Sequence, residues 1–257
     1  MQDQQKIAVA GATGRVGRHV VDTLREAGHR VVPISRSVGV DVITGEGLAA
    51  ALAGVECVID AATGPSPEQQ AATEFFTVAA RNLHEAASRA GVQRIVVVSI
   101  IGCDRFAGGY EAAKVAHERA HAAGAVPVQI LRAAQFHELV PQMVQWGTQG
   151  DVCYVPKMRI QPIAARTVGQ ALAGLAVGTG LPGAPDVAGA PAEIAGPQVE
   201  NLVDCARLLV GERGDPVRIE GVSDPATAEL YENGALLPGP RAVIAGPAFR
   251  EWLDSAA

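Results

Sequence analysis

Apolar residues in the first 150 positions alternate between two spacings. Lys6-Ile-Ala-Val-Ala10 is a short β-forming run, and Val16, Val20, Val21 and Leu24 then recur at helical spacing up to Ala27-Gly28. Val31-Val-Pro-Ile34 predicts a second strand, 47–53 a short Ala-rich helix closed by Gly54, and Val55-Glu-Cys-Val-Ile59 a third strand. A long helix over 67–90 follows, with Phe75, Phe76, Val78, Ala79, Leu83, Ala86 and Ala87 on its buried side. Arg94-Ile-Val-Val-Val98 is apolar throughout, as a central parallel strand is. A helix from Tyr110 to about Ala123, a strand over 126–132 with Pro127 near its start, and a helix towards Trp146 complete the series. This alternation predicts an α/β fold with a doubly wound parallel sheet.

Beyond Gly150 the texture changes. Short extended runs at 152–156 and 159–163 precede a helix over 167–177. The stretch 178–197 is dense in Gly and Pro and predicts loop with at most one short strand. A helix over 198–210, a strand over 217–220 and a terminal helix carrying Phe249, Trp252 and Leu253 follow. The organisation expected is a dinucleotide-type core over 1–150 and a smaller substrate-side lobe over 151–257, both within one compact domain.

Composition narrows the partners. The chain has 257 residues, 48% of them hydrophobic and 19% charged, enough for one α/β domain. A net charge of −6 without any basic cluster argues against nucleic acid and anionic membranes. Cys57, Cys103, Cys153 and Cys205 are isolated, as reduced thiols of a cytoplasmic protein are. The N-terminus is short and polar, unlike a signal peptide, and no stretch is apolar enough to span a bilayer. A monomer or homodimer acting on a small molecule is the expectation.

The chemistry begins between the first strand and helix. Gly11-Ala12-Thr13-Gly14-Arg15-Val16-Gly17 has the spacing G-x-x-G-x-x-G. Gly11 lets the chain turn out of the strand, Gly14 lets the backbone approach a pyrophosphate, and Gly17 lets the helix pack close to the strand. The helix start then offers unpaired N–H groups and a positive dipole end to phosphates. The second strand ends in Ser35-Arg36-Ser37 with no acid to hold a ribose 2′-hydroxyl. A guanidinium there pairs with a 2′-phosphate, with Arg15 as a second candidate, so NADP(H) is preferred and NAD(H) is the alternative. Small residues Ala61, Ala62 and Thr63 after the third strand leave room for a ligand. Tyr110 and Lys114 share a helical face, where an ammonium beside a phenol lowers the phenol's pKa and makes it a usable acid.

These motifs, together with Gly54-Val-Glu-Cys-Val-Ile-Asp-Ala-Ala62, Val98-Ser-Ile-Ile-Gly102 and Ile130-Leu-Arg-Ala-Ala-Gln-Phe136, resemble the atypical short-chain dehydrogenase/reductases of the NmrA-like group. The resemblance covers about the first 140 residues and implies a Rossmann-type fold that binds NAD(P). It implies that Gly11 to Gly17 hold the pyrophosphate and Arg36 the 2′-phosphate. Asp41 and Val42 would lie by the adenine, and Ala61 to Thr63 along the ribose side. Tyr110 would be the proton donor, Lys114 the ribose-binding cation, and Ser99 a carbonyl-polarising or cofactor-binding group. Arg132 and Ala133 would line the nicotinamide end, with Gln135, Phe136 and His137 towards substrate. The group's catalytic serine usually sits one or two places after Ser99, where this chain has Ile100 and Ile101.

Three readings follow. One is an NADPH-dependent reductase of a small apolar carbonyl, quinone or enone, with Tyr110 as proton donor. Another is a non-catalytic NAD(P)-sensing regulator. The third rests on His117-Glu-Arg-Ala-His121, which matches the zinc-protease pattern H-E-x-x-H but has no evident third ligand. Two solvated histidines on the outer helix face are the expectation there, with no metal. His137 reads either as a substrate contact or as a capping or packing residue.

Overall fold

The computed structural model describes residues 4–181 and 190–256. In chain order the elements are β1 (Lys6–Ala10), α1 (Gly17–Glu26), β2 (Arg30–Ile34), α2 (Leu48–Ala51), β3 (Cys57–Asp60), α3 (Gln69–Ala90), β4 (Arg94–Ile100), α4 (Gly109–Ala122), β5 (Val128–Ala133) and α5 (Leu139–Gly147). They continue with β6 (Thr148–Gln149), β7 (Val152–Pro156), β8 (Arg159–Ile160), α6 (Ala165–Val177), β9 (Ala192–Ala195), β10 (Glu200–Asn201) and α7 (Leu202–Arg213). The last are β11 (Arg218–Val222), α8 (Ala228–Glu232), β12 (Val243–Ile244) and α9 (Phe249–Ala256).

Seven of these strands form one parallel sheet in the order β12-β9-β5-β4-β3-β1-β2. The chain runs outward from β1 to β2, then returns to place β3 on the other side of β1. The crevice beyond the carboxyl ends of β1 and β3 is therefore the switch point where ligands of such sheets bind. Alternate side chains of β1 serve opposite faces. Ile7 and Val9 pack with Val20 and Leu24 of α1 and Leu172 of α6, whereas Ala8 and Ala10 pack with Leu48, Ala79 and Leu83 of α2 and α3. Each fully buried leucine contributes roughly 1.5–3 kcal/mol of burial.

The expected elements appear with shifted ends. α3 starts at Gln69 because the Glu68 carboxylate caps the Ala71 N–H at 3.0 Å. β5 starts at Val128, so Pro127 lies just before the strand and joins β4 only through its carbonyl, which accepts the Ile95 N–H at 2.9 Å. β4 runs on to Ile100, which places Ser99 within the strand. Two strands of the main sheet, β9 and β12, come from beyond residue 150, so a boundary drawn there crosses the sheet. β9 is the strand in the Gly/Pro-rich stretch; residues 182–189 of that stretch lie outside the described residues. A second core surrounds a three-stranded sheet of β11, β7 and β6, filled by Val140, Val144, Cys153, Val155, Leu202, Leu209, Phe249 and Leu253. All four cysteines are free and buried. No helix among the described residues is long and apolar enough to cross a membrane.

Candidate active site

The turn after β1 is built by backbone. Gly11 adopts φ +74°, and a Cβ there would lie 2.5 Å from the Ala61 carbonyl oxygen. The Gly11 N–H donates to Ile34 O at 3.0 Å, and its own carbonyl accepts the Gly14 N–H at 2.8 Å. A Cβ on Gly17 would strike that same Gly11 carbonyl, so α1 starts directly against the turn. No side chain caps α1, and its first turn holds no acid. The arrangement leaves N–H groups and a positive dipole end facing the crevice.

The two arginines differ. Arg15 Nη2 donates to Gln142 Oε1 of α5 at 2.9 Å, tying the glycine turn to the second core. Arg36 is exposed, opens a one-turn helix over Arg36–Val38, and has no side-chain partner among the described residues. Ser35 and Ser37 pair their hydroxyls at 2.8 Å beside it. Asp41 Oδ1 accepts the Ile43 N–H at 2.7 Å, and the buried Val42 offers its carbonyl to Asn82. Ala61 N–H continues the β1 ladder onto Ala10 O, and Thr63 Oγ1 lies 3.1 Å from the Tyr110 hydroxyl.

Tyr110 and Lys114 share one face of α4, but their charged and polar ends go different ways. The Lys114 ammonium donates to Val98 O at 2.9 Å and to His117 Nδ1 at 2.8 Å, and lies 4.4 Å from the centre of the Phe76 ring. It is 5% exposed. Burial lowers its pKa to about 8 against the pull of Asp60 and Glu118. The Tyr110 phenol is pushed up, by burial first, with the Thr63 hydrogen bond opposing. The expected lowering of the phenol by its lysine is therefore absent, because that lysine is turned into the protein. Ser99 is buried, with its hydroxyl 3.9 Å from Cys103 Sγ.

At the end of β5, Arg132 forms a two-pronged pair with Glu118 at 2.9 and 2.8 Å and a further bond to Asp104 at 3.0 Å. Its guanidinium is thus held within the protein rather than left for a ligand. Ala133 is buried, and its carbonyl accepts the Ile101 N–H at 3.0 Å. Gln135 and Phe136 run beside Ile163; the buried Gln135 Oε1 has no hydrogen-bond partner among the described residues. His137 is fully buried, donates from Nε2 to Pro247 O at 3.0 Å, and packs against Phe249 and Trp252. This is a packed arrangement, and its buried Nδ1 has no hydrogen-bond partner among the described residues.

The largest departure lies under α4. His117 and His121 are not solvated: they are 1% and 0% exposed. Both Nε2 atoms lie 3.0 Å from Asp60 Oδ2, and His121 Nδ1 lies 3.2 Å from His84 Nε2. Asp60 Oδ1 accepts the Ala62 N–H at 3.0 Å. Burial alone would raise the Asp60 carboxyl, but the two imidazoles outweigh it and hold it far below the usual carboxylate range. Residues 110, 114, 117 and 121 follow a spacing of four, three and four, which is one helical stripe. Once Tyr110 and Lys114 are placed facing inward, the histidines must face inward too; that signal was in the sequence. The partner Asp60, an acid closing an apolar strand 57 residues upstream, was the other.

Comparison with known proteins gives the family context. Residues 11–138 match a family model described as NAD(P)H-binding. The photosystem II assembly factor Ycf39 of Synechocystis sp. is 29% identical over 110 residues, 37% of this chain and 34% of that protein, so the match spans about a third of the relative's length. The NADPH-dependent quinone oxidoreductase QOR2 of Escherichia coli, solved with NADPH, superposes with a TM-score of 0.65 at 18% identity over 97% of this chain and 99% of that one. The triphenylmethane reductase of Citrobacter sp., solved with NADP(H), gives 0.66 at 16% identity over 98% and 100%. At these identities the two structures establish the fold, a Rossmann-type doubly wound sheet.

Proposed function

We propose that this chain, whose residues 11–138 form an NAD(P)H-binding domain of the NmrA-like, atypical short-chain dehydrogenase/reductase family, is an NADPH-dependent reductase of a small, apolar carbonyl, quinone or enone. The carrying observation is the glycine turn at the switch point beyond the carboxyl ends of β1 and β3. Gly11 packs on Ala61 and Gly17 packs on Gly11 because neither carries a Cβ, and this sets the uncapped start of α1 directly against the turn. That cradle suits a pyrophosphate. The exposed Arg36, beside Ser35 and Ser37, would bind the 2′-phosphate of NADP(H), and Arg15 would remain on Gln142. The quinone and triphenylmethane reductases that share this fold lend the substrate class.

When bound, the nicotinamide supplies a hydride. The protein's part is binding, orientation and the proton. Thr63 fixes the Tyr110 hydroxyl at the mouth of the crevice, and a phenol with a raised pKa stays protonated at neutral pH. It then serves as the acid for the developing oxyanion. The Lys114 ammonium is turned inward onto Val98 O and His117, and would add its charge from within the protein. Gln135 Oε1, still lacking a donor, would accept one from the bound ligand. The test is NADPH oxidation against a panel of quinones, enones and aldehydes, repeated with Tyr110→Phe. The expected result is turnover that falls roughly 100-fold or more in the variant while NADPH affinity holds. Equal turnover would remove Tyr110 from the reaction.

The inward turn of Lys114 and the isoleucines after Ser99 favour a second reading, an NAD(P)-sensing regulator without turnover. Tight NADPH binding with no oxidation across the whole panel would select it.

A further inference from the structure

Asp60, His117 and His121 bring three ligand-type atoms together in the interior, with separations of 3.0, 3.0 and 3.1 Å. A triangle of that size resembles one face of a metal's coordination shell. The outer hydrogen bonds decide otherwise. An imidazole that binds metal through Nε2 carries its proton on Nδ1 and donates it outward. His117 Nδ1 faces the Lys114 ammonium, which has only protons to offer, so this nitrogen accepts. His84 Nδ1 receives the Val126 backbone N–H at 3.3 Å, so His84 carries its proton on Nε2 and donates to His121 Nδ1. Both remote nitrogens are therefore acceptors, and both imidazoles hold their protons on Nε2. Those protons point at Asp60 Oδ2, which accepts both. The charges then balance as one buried carboxylate and one buried ammonium separated by a neutral ring.

We propose that Asp60, His117, His121 and His84 form a metal-free clamp that holds the Lys114 ammonium in place beneath the site, with His117 and Asp60 as positioning residues for the reduction proposed above. The clamp is a property of the fold, while its use in catalysis rests on that functional reading. Two arms converge on one anion. Lys114 to His117 to Asp60 is the working arm, and the backbone of Val126 through His84 and His121 to Asp60 braces it. Phe76 covers the working arm, with its ring stacked on His117 at 4.5 Å between centres. The groups facing Lys114 are Asp60 from β3, Cys103 beyond β4, and His117 and Glu118 from its own helix, the last neutralised by Arg132 of β5. His84 from α3 acts only through His121. Among the described residues Asp60 is thus the anion near Lys114 that no arginine matches, and it favours the charged lysine.

Three variants and two nuclear resonance measurements test this on the full chain. Long-range proton–nitrogen spectra of ¹⁵N-histidine protein should show His84, His117 and His121 as Nε2–H tautomers from pH 6 to 8, unchanged by one equivalent of zinc chloride. Nδ1–H tautomers, or large shifts on adding zinc, would overturn the clamp and make the cluster a metal site. Titration of the Lys114 ammonium, followed through its ε-methylene signal, should move down by at least one pH unit in Asp60→Asn. An unchanged midpoint would overturn the role of Asp60. His117→Gln keeps an acceptor for Lys114 and a donor for Asp60, so it should retain the wild-type midpoint, whereas His117→Leu should lower it. If Asp60→Asn does not fold, the glutamine and leucine pair decides, and equal midpoints for the two would overturn the clamp. NADPH titrations of the same proteins from pH 7 to 9.5 supply the functional link. Affinity should fall at the Lys114 midpoint of each variant. A wild type that binds no NADPH would defeat the functional reading while leaving the lysine titration to judge the clamp.

Discussion

The glycine turn after β1 and the buried cluster below α4 meet at one short stretch, Asp60 to Ala62, yet they are made in opposite ways. The turn is made by backbone and by missing side chains: Gly11 and Gly17 approach closely because neither carries a Cβ. The cluster is made by polar side chains, residues 60, 84, 114, 117 and 121 from β3, α3 and α4, braced by the backbone at Ala62, Val98 and Val126. The turn is partly exposed, at Gly11, Thr13, Gly14 and Arg15. The cluster is closed, and each of its charges already has a partner. Ala62 joins them, since its N–H binds Asp60 while a Gly11 Cβ would meet its Cα. A site assembled from a contiguous segment survives sequence drift elsewhere; one assembled from dispersed polar side chains fails when any member is lost, because a buried group left unpaired is costly.

The largest expected effect therefore belongs to the cluster. Asp60→Ala leaves two imidazoles without their acceptor and a buried ammonium without its counter-charge, and should lower unfolding free energy by about 3–5 kcal/mol in urea titrations. A loss below 1 kcal/mol would mean that the cluster contributes little to the fold. Gly17→Ala should cost about 2 kcal/mol or more, because the new methyl meets the Gly11 carbonyl and the backbone must move, and NADPH binding should disappear with it. Unaltered binding would show that the turn tolerates displacement.

Acid should separate the two regions further. His117 is held down to about pH 4 by burial, and by Lys114 beside it, from an ordinary 6.5. The unfolded chain then binds a proton below 6.5 that the folded chain refuses. Stability is full above that pH and declines as pH falls towards 4, by about 1.4 kcal/mol per pH unit for this group. Urea midpoints at pH 7, 6 and 5 measure the slope. His117→Gln should flatten it, and an equally steep slope in that variant would place the acid sensitivity elsewhere. Arg15→Ala should have the smallest effect, about 0.5–1 kcal/mol from the lost bond to Gln142, with the NADPH-to-NADH preference intact. A collapsed preference would make Arg15, not Arg36, the reader of the 2′-phosphate.

The same contrast explains what could be read in the sequence. The turn is local, so strand, glycines and helix announced it in order, and the parallel sheet followed from the alternation around it. Boundaries moved by a residue or two where a cap intervened, as Glu68 did for α3. The strands β9 and β12 were harder, because four-residue and two-residue strands carry no periodicity and join the sheet only through tertiary pairing. The histidines were harder to place, because H-E-x-x-H fixes a spacing and not a burial, and it is the packing of α4 on β3 and α3 that turns their stripe inward. Arg132 is held by Glu118, fourteen residues before it, a pairing that only the meeting of α4 and β5 reveals. Pairings of that kind depend on two elements meeting in space and leave no mark on either segment alone.

Calorimetric titration with NADPH and NADH, on the wild type and on Arg36→Ala, tests the central claim most directly. The account predicts NADPH binding at least tenfold tighter than NADH, with the difference removed in the variant and NADH affinity unchanged. Binding of neither nucleotide would contradict it outright, since the turn from Gly11 to Gly17 would then be a structural bend without a phosphate to hold.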